Sequence, residues 1–160
     1  MNAPRVVLAS VLLAFASLVA LAQAADKPAD HVFFAPKDLK WTDVPSLPKG
    51  AKAALLEGPM NEPGPFMIRI KFPANYKVPP HWHNNIEHIT IISGTLNMGI
   101  GDKFDQKKTH ALRAGHASIM QPKLNHFVWT KEETIAQVHG MGPWEVNYVN
   151  PADDPRKKPK

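Results

Sequence analysis

An all-β fold, a sandwich or small barrel of short strands, is predicted by three observations. From Ala51 onward, short runs of aliphatic, β-branched and aromatic residues are separated by Gly, Pro, Asn and Asp. No long stretch holds the 3.6-residue apolar period of an amphipathic helix. Within runs, apolar and polar positions alternate, as where Leu96, Met98 and Ile100 interleave with Thr95, Asn97 and Gly99. Many short strands with turn signals between them suit two packed sheets or a closed barrel.

The elements follow in chain order. Residues 1–24 read as an export signal: Arg5 supplies positive charge, Val6 to Ala22 is apolar apart from Ser10 and Ser17, and Ala22-Gln23-Ala24 fits a small-residue cleavage site. The expected mature chain begins near Ala25 and is periplasmic or secreted, with no membrane association after cleavage. Residues 25–50 form a Pro-rich arm with short apolar pieces at Val32–Phe34 and Leu39–Trp41, suited to lie across a sheet edge or a partner. Strands are expected at 51–57, 66–72, 80–84, 87–93, 95–100, 109–113, 116–121, 125–130, 134–139 and 144–149. One barrel domain, 51–150, accounts for them, and no internal repeat suggests a second. Residues 151–160 read as a basic, disordered tail.

Charge and composition exclude several classes. Cleavage takes only Arg5 from the formal charge of +5, and Arg156, Lys157, Lys158 and Lys160 account for what remains. Residues 25–155 are therefore formally neutral. Nucleic-acid binding would need basic residues spread over a folded face with exposed aromatics, and no such stripe is present. With no cysteine, thiolate metal chemistry and cysteine nucleophiles are excluded.

The chemistry lies in His81-Trp82-His83-Asn84-Asn85-Ile86-Glu87. Alternate residues of a strand share a face, so His81 and His83 can aim at one point, and Glu87 shares their parity. His126 is placed to add a fourth donor. Three imidazoles and a carboxylate suit one divalent transition metal: Fe, Mn or Zn first, with Ni or Cu also accommodated. Gln137 and His139 depend on the turn at 131–133. A three-residue loop would put Val138 on the face of His126, whereas two or four would put Gln137 and His139 there. The expectation adopted is the pocket, with Gln137 and His139 orienting substrate or transferring a proton. His88 has opposite parity and should face outward. Trp82 and Trp129 should also face outward, packed under the arm or in a dimer interface, with Trp144 and Tyr148 candidates for the same contact. His31, His110 and His116 read as surface residues of turns or arms.

The spacing His81, His83, Glu87, Gly94 resembles the first cupin motif, HxH-x3-E-x6-G. Asn75 stands where that family usually has a glycine. The second motif is matched by Gly115 and His126, with its proline one place late at Pro122, its inner glycine missing and its final Asn replaced by Thr130. Runs such as Gly101-Asp102-Lys103-Phe104 and Tyr148-Val149-Asn150-Pro151-Ala152-Asp153-Asp154-Pro155 are similar to those of small secreted cupins and of the cupin half of zinc-binding anti-sigma factors. The resemblance implies a cupin-type double-stranded β-helix, or jelly-roll barrel, and a homodimer.

Two functional classes follow from the resemblance and the donor set. The first is a metal-dependent enzyme acting on a small organic acid or diketone-like substrate, with dioxygenase-type oxidation foremost and decarboxylase, isomerase or lyase chemistry also represented among cupins. The second is a non-catalytic periplasmic metal- or ligand-binding or sensing module. Iron or manganese would keep open positions for substrate, whereas tetrahedral zinc would be closed by four protein donors.

Overall fold

A computed structural model describes residues 31–157; the proposed signal at 1–24, the start of the arm at 25–30 and the end of the tail at 158–160 lie outside the described residues. The strands, in chain order, are β1 (Thr42–Asp43), β2 (Lys52–Glu57), β3 (Gly64–Phe72), β4 (Lys77–Trp82), β5 (Glu87–Ser93), β6 (Thr95–Ile100), β7 (His110–Arg113), β8 (Ala117–Met120), β9 (His126–Thr130), β10 (Thr134–Gly142) and β11 (Asn147–Tyr148). They form two antiparallel sheets, ordered β1-β2-β3-β10-β5-β8 and β11-β4-β9-β6-β7. This is the jelly-roll arrangement expected, with its core between the sheets.

The alternation seen in the sequence selects the inner faces. Phe66, Ile68, Ile70 and Phe72 on β3, Ile89 and Ile91 on β5, and Ala136 and Val138 on β10 are buried, as are Leu96 and Met98 on β6. Gly94 turns the chain from one sheet to the other at φ 76°, where an added Cβ would lie 2.5 Å from the Glu133 carbonyl oxygen. Only glycine fits that turn.

The arm does cover an edge. β1 pairs with β2, Lys52 Nζ meets Asp43 Oδ1 at 2.9 Å, and Leu47 is buried in the core. Tyr148 Oη donates to Ser46 O at 2.9 Å, and Tyr76 Oη donates to Pro48 O, fastening the arm across the barrel. At the other end, the expectation of disorder fails for residues 151–157. Asn150 Oδ1 accepts from Ala152 N and starts one 3-10 turn, Pro151–Asp153; a second follows at Pro155–Lys157. Arg156 pairs with Asp154 at 2.8 Å and donates from Nη2 to Val146 O, so paired charge and backbone bonds hold the segment down.

Candidate metal centre

The path of the chain between His81 and Glu87 builds the centre. Pro79 and Pro80 in β4 cannot donate to a ladder, and β4 carries a bulge against β9 between Val78 and His81. The extra residue lets even-numbered Val78 and odd-numbered His81 both face inward. The strand ends at Trp82, the chain crosses to the opposite sheet, and Glu87 opens β5. His126 opens β9 directly opposite His81. Donors from both sheets therefore converge at one end of the barrel, rather than along one continuous strand.

His81, His83 and His126 are buried, and one nitrogen of each lies within 4.8 Å of the others. Their orientation is set by backbone. Nδ1 of His81 faces Pro79 O at 2.7 Å, that of His83 faces Glu145 O at 2.7 Å, and that of His126 faces Leu124 O at 3.0 Å. A carbonyl only accepts, so each Nδ1 carries the proton and each Nε2 keeps a lone pair directed elsewhere. Glu87 Oε2 stands 3.5 Å from His83 Nε2 and 3.7 Å from His126 Nε2, too far for good hydrogen bonds. His83 Nε2 is buried without a partner.

Burial sets the charge state. It pushes His81 well below the ordinary imidazole range, His83 down to about 3 and His126 down as well, with the neighbouring imidazoles adding to the shifts of His81 and His83. Burial alone pushes Glu87 up to about 8. The result is three neutral imidazoles with free lone pairs and a carboxyl that lacks a cation. The three imidazole nitrogens form the group close enough to hold an ion, and Glu87, 3.5 Å from His83 and 3.7 Å from His126, stands where its carboxylate could join them at about 2.0–2.2 Å from a shared divalent ion. The residues therefore fit a borderline transition metal.

The centre closes one end of a cavity of about 60 Å³, several times the ~10–15 Å³ one water requires. Its walls are apolar, including Ile68, Ile70, Phe72, Leu96, Met98, Val128 and Val138. Ser46 is the other polar contributor beside the histidines and Glu87, and among the described residues no Lys or Arg lines it. Trp144 also lines it and stacks on the His83 ring, with centroids 4.1 Å apart and planes at 20°. Its Nε1 is buried without a partner.

Trp144 and Tyr148 face the core; Tyr148 lies under the arm, as one of the two expected contacts, and the stacking of Trp144 on His83 is what sequence reasoning missed. The positioning signal was present in Asn84 and Asn85. Both Nδ2 atoms donate to Pro143 O at 2.7 Å, and Asn84 Oδ1 accepts from Glu145 N. These bonds dock residues 143–145 over His83.

Gln137 and His139 do not enter the pocket. The segment 131–133 joins different sheets, since β9 and β10 are not paired, so hairpin rules do not apply. Ala136 and Val138 take the inner face of β10, leaving Gln137 and His139 outside. Gln137 Oε1 accepts from Arg69 Nε at 3.3 Å, and His139 stacks on His88. Thr130, standing in for the family's asparagine, is buried; its Oγ1 donates to Pro73 O at 2.7 Å and accepts from Tyr76 N at 3.3 Å, binding β9 to the turn before β4.

Solved structures share this architecture at low sequence identity. The polyketide cyclase RemF from Streptomyces resistomycificus aligns with a TM-score of 0.64 at 19% identity, over 79% of this chain and 91% of its own. An acetylacetone dioxygenase from Acinetobacter johnsonii aligns at 0.58 and 14% identity, over 80% of this chain and 83% of its own. An RmlC-like cupin from Shewanella frigidimarina aligns at 0.55 and 14% identity, over 69% and 90% respectively. No family model matches the chain, and no curated protein matches it.

Proposed function

We propose that this chain, whose fold is that of the cupins, is a metal-dependent enzyme of dioxygenase type. Its substrate class would be a small, flat, largely apolar molecule with two oxygen donors, such as a β-diketone or its enol. The observation that carries this reading is the cavity lining: a buried donor set faces aliphatic walls with no Lys or Arg among the described residues there. A small dicarboxylate would bring two charges into that space with only the metal to balance them. An enolised diketone needs two oxygen ligands and otherwise apolar contact. An acetylacetone dioxygenase of the same fold adds an analogy, and fold alone does not carry function.

His81, His83, His126 and Glu87 would hold the metal, which when bound supplies Lewis-acid polarisation of substrate oxygens and, if iron, a route to oxygen chemistry. The chain's own contribution is positional. Carbonyl partners at Nδ1 lock the three imidazole orientations. The aliphatic walls exclude water and strengthen electrostatic interactions at the donors. Trp144 lines the cavity and has a buried, unpartnered Nε1–H, which would be a donor for a substrate oxygen within its reach. Export through segment 1–24 and self-association belong to the same reading, supported by the Arg5 and Ala22-Gln23-Ala24 pattern and by the family resemblance. N-terminal sequencing of periplasmic material and sedimentation test them.

The deciding experiment is elemental mass spectrometry on tag-free protein and His83→Ala, followed by oxygen uptake with a β-diketone and with a dicarboxylate. Iron or manganese lost in the variant, with uptake faster for the diketone, supports the proposal. One tightly held zinc per chain without turnover favours the second reading, a non-catalytic binding module, because four protein donors would close a tetrahedral ion. No metal even after reconstitution defeats both.

A further inference from the structure

We propose a second, external metal site at His88 and His139, on the outer face of the sheet whose inner face bears Glu87, and suited first to copper(II). His139 on β10 is directly opposite His88 on β5. Facing residues of an antiparallel pair have Cβ atoms about 4.5–5.5 Å apart, within reach of one shared ion. The two rings already lie together, with centroids 4.8 Å apart and planes at 9°. His139 is exposed and His88 half-buried. The outer ring therefore has room to turn about χ1 and χ2, which converts a stacked pair into a chelating one.

Two further observations point to a ligand. His88 Nδ1 is buried with no hydrogen-bond partner, an orphaned nitrogen that stacking alone leaves unexplained. On the far side of His139, Met67 of β3 is the facing residue, so a thioether extends the row of donors across three adjacent strands. Two imidazoles flanked by a thioether suit a borderline-to-soft ion, and among divalent first-row metals copper(II) binds nitrogen donors most tightly. The row is distinct from the interior centre. His88 and Glu87 are neighbours in one strand and project to opposite faces of the sheet.

The test uses the full protein with its interior site already loaded, titrated with copper(II) against a competing chelator of known affinity and read by electron paramagnetic resonance. One additional copper per chain, with a nitrogen-coordinated signal, is expected. His139→Phe and His88→Phe keep an aromatic ring for stacking and remove the nitrogens; each should lose the added equivalent while retaining the interior metal and the parent's circular dichroism. Two variants on different strands guard against one failing to fold. The proposal is overturned if the parent binds no additional copper, or if the additional copper persists in the folded variants.

Discussion

Asn75 has φ 58°, in the left-handed region that glycine and asparagine enter most readily. It occupies the place where the cupin motif usually has glycine, so the departure in sequence keeps the backbone conformation. Asn75→Gly should leave stability nearly unchanged. Asn75→Val should cost about 1–2 kcal/mol in chemical denaturation, because a β-branched residue is strained there. Glu87 makes a second prediction. Its folded value of about 8 lies above the ordinary 4.5, so in metal-free protein its contribution is complete below 4.5 and is lost as pH rises through 8. His83 is depressed from 6.5 to about 3, so its contribution is present above 6.5 and is lost as pH falls through 3. Between 6.5 and 8 the glutamate dominates this set. The melting temperature of metal-free protein should therefore fall across that window, Glu87→Gln should flatten the fall, and added metal should reverse it in the parent only. His81, His83 and Glu87 were legible in sequence because their spacing is local, and His126 because its distance from Gly115 matches the second motif. Trp144 was not, because its position depends on Asn84 and Asn85 reaching residues some sixty places on.

Among the elements, the segment from β4 to β5 does most to shape the centre. Its bulge reverses strand parity, and the two asparagines dock residues 143–145 against it. Replacing Asn84 and Asn85 together by Ala should release the Glu145 carbonyl from His83 Nδ1 and weaken metal binding about 10–100-fold, measured by chelator competition. Gly94→Ala should be far more damaging, since the new Cβ would press on the backbone at Glu133 and Thr134; soluble yield and thermal melting check this. Strand existence was readable throughout the barrel because turn residues punctuate it. Sheet membership was not. Nothing in Lys131-Glu132-Glu133 distinguishes a hairpin from a crossover, and the pocket assignment of Gln137 and His139 failed there. The buried pair Ala136 and Val138 held the better signal, since an apolar stripe decides which face turns inward.

For the molecule as a whole, the arm, the tail and both sheets are fastened by contacts that involve no metal. Leu47 plugs the core, Tyr148 ties the arm, and Arg156 ties the tail. Metal-free protein should consequently keep its near-ultraviolet circular dichroism, and adding metal should raise the melting temperature with ion concentration while leaving that spectrum in place. Loss of the spectrum on chelation would show a metal-dependent fold instead. The sequence indicated an unstapled domain through its lack of cysteine, but its basic charge run led residues 151–157 to be read as a loose tail, although the run to Pro155 resembled one within the family. The carbonyl partners of the three Nδ1 atoms have a wider consequence. Imidazoles oriented by backbone carbonyls need no ion to hold their rings in place, so folding and loading can be separate events in time. Similar divalent ions then compete for one set of donors, and which of them is available where loading takes place weighs on the choice beside geometry and ligand type. The compartment, as much as the ligand set, would determine the chemistry this protein performs.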